Sequence, residues 1–237
     1  MVYPLSHLYV SSQILGHMDT SLALGSVLPD VLVGSGVVWR KAHHSTGRPF
    51  REHLVTPSLR VGAALHGIDL PGLDYDSDVS FGEGRGYAYQ KAVHIEEDLL
   101  RLGVEPEHAL WRGHNFVEMA IEIELNRHHS HLWQYLNEGQ QDPALMTQIT
   151  QLAESLEATR PEAATAVLDR FLNIRGEQER LARDYAAKLN RSYSLALEPD
   201  QIEQVIAKIA VIIASDYRDF LDRSIHRIRQ ALADSPF

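Results

Sequence analysis

Imidazole and carboxylate pairs one helical turn apart are the groups in this chain best suited to chemistry. His114 and Glu118 stand at i and i+4 in RGHNFVEMAIEIELNRHH, residues 112–129, and Glu122 follows four later. On a helix these three side chains lie along one side. Such a pair can ligate a divalent cation, and Zn²⁺ accepts mixed nitrogen and oxygen donors. The competing use is a row of solvated contacts with Arg112, Arg127 or the histidines. Phe116, Val117, Met119 and Ala120 surround the stripe, and polar groups buried among them need partners.

A second pair, His66 and Asp69, sits at i and i+3 in ALHGIDLPGLDYDSD, where Pro71-Gly72 ends the helix. Asp74, Asp76 and Asp78 imitate the start of a calcium-binding loop. The template fails at its sixth position, Val79 where glycine is needed, and at its twelfth, Arg85 where a bidentate Glu is needed. The three aspartates are therefore read as turn formers at the mouth of a site.

A third unit joins His7, on the apolar LSHLYV, to Asp30, inside the aliphatic run VLPDVL. An unpaired carboxylate there is costly to bury, so Asp30 demands a cation, a nest of amides or exposure. His43 and His44 follow in KAHHSTG. Arg40, Lys41, Arg48 and Arg51, close by in sequence, suit an anionic substrate such as a phosphate.

The elements that must position these groups read as helices. Leu5–Leu15 and Ser21–Leu28 are separated by Gly16, Gly34–Phe50 is a loop, and Arg51–Gly67 resumes a helical pattern. One run extends from Pro106 to Leu136. Prolines at first-turn positions open helices near 144–157 and 162–173, and further helices run over about 177–191 and from Glu198 through Ile228. No alternating run of useful length predicts a strand, so the expected fold is all-α, a multi-helix bundle. Twelve of the thirteen histidines precede NEGQQDP, residues 137–143. That shift suggests a helical metal-site core over 1–140 and a C-terminal helical extension over 141–237, packed on the core.

Composition narrows the function classes. A net charge of −10 supplies no excess of Lys and Arg for a phosphate backbone, so no nucleic acid partner is expected. The first thirty residues lack a basic n-region and are interrupted by His7, His17 and Asp19, so neither a secretory signal nor a transmembrane segment is expected there, and the location expected is cytoplasmic. Cysteine is absent, which removes disulfides, thiolate metal ligands and a Cys nucleophile. The cluster Ile209, Val211, Ile212 and Ile213 offers the C-terminal helices an apolar face for a homodimer.

Taken in order, His7, Asp30, His43 or His44, His66 with Asp69, and His114 with Glu118 form a succession that resembles the zinc-dependent phospholipase C family. The resemblance covers roughly the first half of the chain. It implies an all-α fold, a divalent metal cofactor, zinc first with Mn, Fe or Ni as alternatives, and a small anionic phosphodiester or phospholipid substrate. It also carries ligand roles onto His7, Asp30, His43, His44, His66, Asp69, His114 and Glu118. Asp30 and Asp69 would bridge ions or act as general base. The chain departs from the family in having His-x-x-Asp at the fourth unit, no N-terminal Trp ligand, and no His at short spacing after His66. His94 and His108 stand as substitutes.

PLSHLYV, LALGSVLPDVLVG and HGID also look like acyl carrier protein phosphodiesterase, a helical hydrolase related to the HD phosphohydrolases. Both resemblances imply cleavage of a phosphodiester. An HD-type nucleotide phosphohydrolase is disfavoured, because no His-Asp dipeptide occurs in the chain. The alternative from another class is a non-enzymatic helical protein that binds metal structurally or dimerises.

Overall fold

The computed structural model describes residues 3–234. The fold is all-α. In chain order the helices are α1 (Pro4–Leu15), α2 (Thr20–Gly34), α3 (Trp39–His43), α4 (Arg48–His53), α5 (Pro57–His66), α6 (Tyr87–Ala92) and α7 (Glu96–Arg101). They continue as α8 (Pro106–His129), α9 (Leu132–Gln140), α10 (Pro143–Ser155), α11 (Ala164–Ile174), α12 (Gln178–Tyr193), α13 (Pro199–Ile213) and α14 (Tyr217–Ala233). Between α5 and α6 lie a π-helical turn, Tyr75–Val79, and a two-residue antiparallel pair, β1 (Ser80–Phe81) with β2 (Gly84–Arg85). Among the described residues, no helix is long and apolar enough to cross a membrane.

Local chemistry sets most boundaries. Pro4 opens α1, and Gly16 closes it in the left-handed region at φ 74°. The Asp19 carboxylate accepts the Leu22 N–H at 2.7 Å and caps α2. Asp142 caps α10 in the same way, and Glu198 with Gln201 forms a capping box on α13.

The differences from the sequence pattern have equally local causes. α2 runs on through Pro29 to Gly34. The expected loop 34–50 contains α3 and the first residues of α4. Residues 54–56, ahead of Pro57, divide α4 from α5, and Ser130-His131 separates α8 from α9. The last expected helix is two, divided at 214–216.

The chain forms two compact units that do not divide at residue 140. One takes residues up to Tyr75, His129–Arg175 and the chain from Leu221; the other takes Asp76–His128 and Gly176–Phe220. Histidine density marks chemistry along the sequence, whereas packing assigns α9, α10 and α11 to the same unit as α2.

In the first unit α2 is the central element. Leu22, Ala23, Leu24, Val27, Leu28, Val31 and Leu32 are all buried, the pattern of a helix apolar on every side. α5 crosses it closely because Gly25 faces Gly62. A Cβ on Gly25 would lie 2.2 Å from the Leu59 carbonyl oxygen, and one on Gly62 would lie 2.6 Å from the Ser26 nitrogen.

In the second unit α12 packs on α13, and α13 on α6. Phe116 of α8 meets Tyr185 of α12 edge-on at 5.0 Å. Tyr87 stacks on Phe220 at 4.2 Å. Ile209 and Ile213 belong to this unit's own core, and of the four apolar residues expected to form a dimer face only Val211 is fully exposed.

The Gly25–Gly62 crossing leaves no room for a methyl group. Gly25→Ala is expected to destabilise the chain by about 2 kcal/mol, read as a lowered urea midpoint. A Gly16→Ala control meets no neighbouring atom within 4 Å; its cost comes from the left-handed backbone alone and should be smaller, about 1 kcal/mol.

Candidate metal centre

Five chemically active side chains of the first unit meet in its interior: His7 from α1, Asp30 from α2, His43 from the end of α3, His66 from the end of α5, and Asp74 from the loop that follows. His43 Nε2 lies 2.9 Å from Asp74 Oδ2 and 3.7 Å from Asp30 Oδ1. His66 Nε2 lies 3.1 Å from Asp30 Oδ2 and 3.2 Å from Asp74 Oδ2. His7 Nε2 is 3.4 Å from Asp74 Oδ1, and its ring stacks on His66 with centroids 3.6 Å apart.

The backbone fixes how the two central imidazoles face this point. His43 Nδ1 lies 2.9 Å from the Trp39 carbonyl oxygen, and His66 Nδ1 lies 2.7 Å from that of Ser26. A carbonyl only accepts, so each Nδ1 carries a proton and donates it, and each neutral ring presents Nε2 as a bare lone pair. Both Nε2 atoms are enclosed and face the nearby carboxylate oxygens.

Lone pairs of nitrogen and of carboxylate oxygen thus converge on the same small space. A metal ion fits that arrangement. With metal–ligand distances of about 2.1 Å, donors are separated by about 3.0 Å at right angles and about 3.4 Å at tetrahedral angles. The contacts of 3.1, 3.2 and 3.4 Å fall in that range, and that of 2.9 Å lies just below it. Two overlapping triads, His7–Asp30–His66 and His43–His66–Asp74, have ligand atoms within 4.8 Å of one another. The Nδ1–H donations to Trp39 and Ser26 are the outer contacts that orient ligating histidines.

Without a cation, protons must balance the charge. Burial opposes charge on His43, but the Asp30 and Asp74 carboxylates outweigh it and hold its pKa up to about 9. His66 is raised well above its ordinary value by the same two carboxylates against the same desolvation. Burial, together with the neighbouring His66, pushes His7 down to about 3. Burial also disfavours charge on Asp30 and Asp74, yet His66 and His43 hold both below the usual carboxylate range.

Two glycines bring Asp74 into place. A Cβ on Gly67 would lie 2.2 Å from Ser45 Oγ and 2.5 Å from the His43 carbonyl oxygen, which accepts the Ile68 N–H at 2.9 Å. A Cβ on Gly72 would lie 2.4 Å from the Leu65 carbonyl oxygen, and Gly72 N donates to the Gly67 carbonyl at 2.8 Å. The loop therefore folds back against the end of α5, and Asp74 returns to the histidine that precedes it by eight positions.

The sequence-based ligand set is thereby divided. His7, Asp30, His43 and His66 come together. Asp69 and His44 do not join them: helix α5 ends at His66, and Asp69 accepts from Thr46 N at 3.1 Å and Thr46 Oγ1 at 2.5 Å. His44 is half-exposed, 4.0 Å from Asp69. Asp74, read from the sequence as a turn former at the mouth of a site, takes the place expected of Asp69, and the two glycines that bracket the turn bring it there.

His114 and Glu118 belong to a different group, in the second unit, with Asp78 as its third member. His114 Nε2 is 3.9 Å from Glu118 Oε2, and Ser77 Oγ donates to Glu118 Oε1 at 3.0 Å. Tyr89 stacks on His114 at 4.9 Å, and the Arg85 guanidinium lies 3.7 Å above the Tyr89 ring. This group too can hold an ion, with looser spacing. His94 is exposed and His108 pairs with Glu105 at 3.2 Å; neither belongs to the two groups.

Fold and site define an all-α protein with a buried His/Asp group able to hold a metal ion. The chain matches no protein-family model, no curated protein and no solved structure.

The metal-free chain should show a narrow pH optimum. His43, raised to about 9, and His66 contribute stability that is complete below about pH 6.5 and is lost as pH rises through their folded values, about 3 kcal/mol for His43 alone. His7, held down to about 3, costs stability increasingly as pH falls below about 6.5. Asp30 and Asp74 are depressed, so their contribution is complete above about pH 4 and is lost as pH falls further. Thermal melts after chelation should peak near pH 6 and drop by pH 9. Metal-loaded protein should lose little over that alkaline range, because the ion's charge does not titrate away.

Proposed function

We propose that the chain is a metal-dependent phosphoric ester hydrolase, with zinc as its ion and a small anionic phosphodiester, of the phospholipid type or otherwise, as its substrate. The observation that carries this reading is the enclosed convergence of three imidazoles and two carboxylates whose donor spacing suits one or two cations. Three nitrogens and a carboxylate-rich remainder without thiolates suit Zn²⁺, with Mn, Fe or Ni as alternatives. The ordered resemblance to zinc-dependent phospholipases C supports the same chemistry, as does the likeness to acyl carrier protein phosphodiesterase.

The chain's own residues divide the work by valence. An imidazole nitrogen has one lone pair, so His66 serves a single ion. Asp30 and Asp74 each have two carboxylate oxygens, which lets either bridge a second ion or hold a proton removed from water. The bound ion supplies Lewis-acid polarisation of a phosphoryl oxygen and an acidified water. Trp39, stacked on His43 at 4.3 Å and partly exposed, fixes that ligand from outside and excludes water from one face.

A second reading, a structural metal ion in a non-enzymatic protein, is favoured by the complete burial of the His43 and His66 side chains. The two separate on turnover. Purified protein should contain about one or two equivalents of metal and hydrolyse bis-p-nitrophenyl phosphate, with activity lost on chelation and restored by Zn²⁺. A structural ion would instead give a large fall in melting temperature on chelation and no turnover before it.

Asp74→Asn is expected to lower kcat/KM about a thousand-fold, several kcal/mol of transition-state stabilisation, with loss of metal measured in parallel. Asp69→Asn should retain metal and most activity. The reverse ranking would return the ligand role to Asp69 and sink the assignment of Asp74.

A further inference from the structure

Arg112 of α8 is only 5% exposed, yet among the described residues it makes no ion pair. Its Nε donates to Tyr193 Oη at 2.8 Å. Its guanidinium carbon lies 4.0 Å from the Trp111 ring centroid and 5.1 Å from that of Tyr193. Tyr185 Oη, which donates to the Arg112 carbonyl at 3.1 Å, also lies against the guanidinium; among the described residues Nη1 and Nη2 make no other hydrogen bond and are not among the enclosed polar atoms, so both reach solvent.

Five exposed arginines behave differently. Arg48, Arg101, Arg127, Arg180 and Arg183, all much more exposed, each pair with a carboxylate three or four residues away. An arginine cannot escape burial by releasing its proton, so an enclosed guanidinium needs its counter-charge from somewhere. Two aromatic faces supply part of it through their quadrupoles. The Glu105 carboxylate is engaged with His108, whose ring lies against Trp111 and Tyr193 at 6.0 and 5.6 Å.

What remains is the solvent-reaching Nη edge beside the two aromatic rings, and paired N–H groups there suit two oxygens of one oxyanion. Trp111, 47% exposed, provides an apolar wall beside it. We propose that Arg112, Tyr193 and Trp111 form a binding site in the second unit for a small solute bearing a phosphate group. It shares no side chain with either His/carboxylate group and does not rest on the hydrolase reading.

The test is a titration of the metal-loaded full chain with inorganic phosphate at constant ionic strength, against chloride, followed by tryptophan fluorescence and thermal melting. The wild-type chain should show saturable binding with a rising melting temperature. Arg112→Met should lose that binding at least ten-fold while melting no lower than wild type in phosphate-free buffer, because a charge without a partner has been replaced by an apolar side chain of similar length. Arg112→Lys keeps the charge without the fork and should also bind at least ten-fold more weakly, which keeps the question open to test if the Met variant does not fold. Phosphate held at the metal centre would raise wild type and variants alike. That outcome, no saturable effect in wild type, or undiminished affinity in the Lys variant would overturn the proposal.

Discussion

Everything in the first unit depends on a repulsion. Two carboxylates and the bare Nε2 lone pairs of His43 and His66 face one another inside a water-poor core, and the Nδ1 donations to Trp39 and Ser26 prevent either ring from turning its proton inward without becoming charged. Such a group is stable only when positive charge sits among the donors, as protons or as a metal ion. The raised histidines and lowered aspartates of the metal-free chain express the same demand.

The packing around the group exists to hold these donors against that repulsion. Asp30 lies on a helix buried on all sides, so its backbone cannot yield toward solvent. The glycine crossing of α2 with α5 brings Asp30 and His66 to contact distance, and Gly67 and Gly72 fold the next loop tightly enough to return Asp74. Small residues concentrate where backbones approach most closely. The cost of the site is thereby spread through the core, so an ion bound there would add to the stability of the whole unit.

The second unit handles charge differently. Its His114, Glu118 and Asp78 are spaced more widely, and Tyr89 with Arg85 forms a stack over the imidazole. Arg112 is enclosed by aromatic rings and leaves one edge of its guanidinium to solvent. Both arrangements use aromatic faces to hold a polar group in place, as Trp39 does beside His43 in the first unit.

By itself the sequence determined that the fold is helical and where several helices begin or end, because period and capping residues act within a few positions: Asp19, Asp142 and Glu198 begin helices, and Gly16 ends one. It also marked His7, Asp30 and His66, since a polar residue in an apolar helical run needs a partner when buried, and it offered His43 or His44 from the loop between them. It did not distinguish Asp69 from Asp74. Helical spacing favoured Asp69, one turn from His66, but α5 stops at His66 and the return of the loop depends on contacts of Gly67 and Gly72 with distant backbone. The assignment of His114 and Glu118 to a separate group, and of residues 129–175 to the first unit, likewise rests on packing between segments far apart in the chain. Tertiary structure alone decided these, because which donors share a cation is settled by distances in space, and a loop's path carries no period to read.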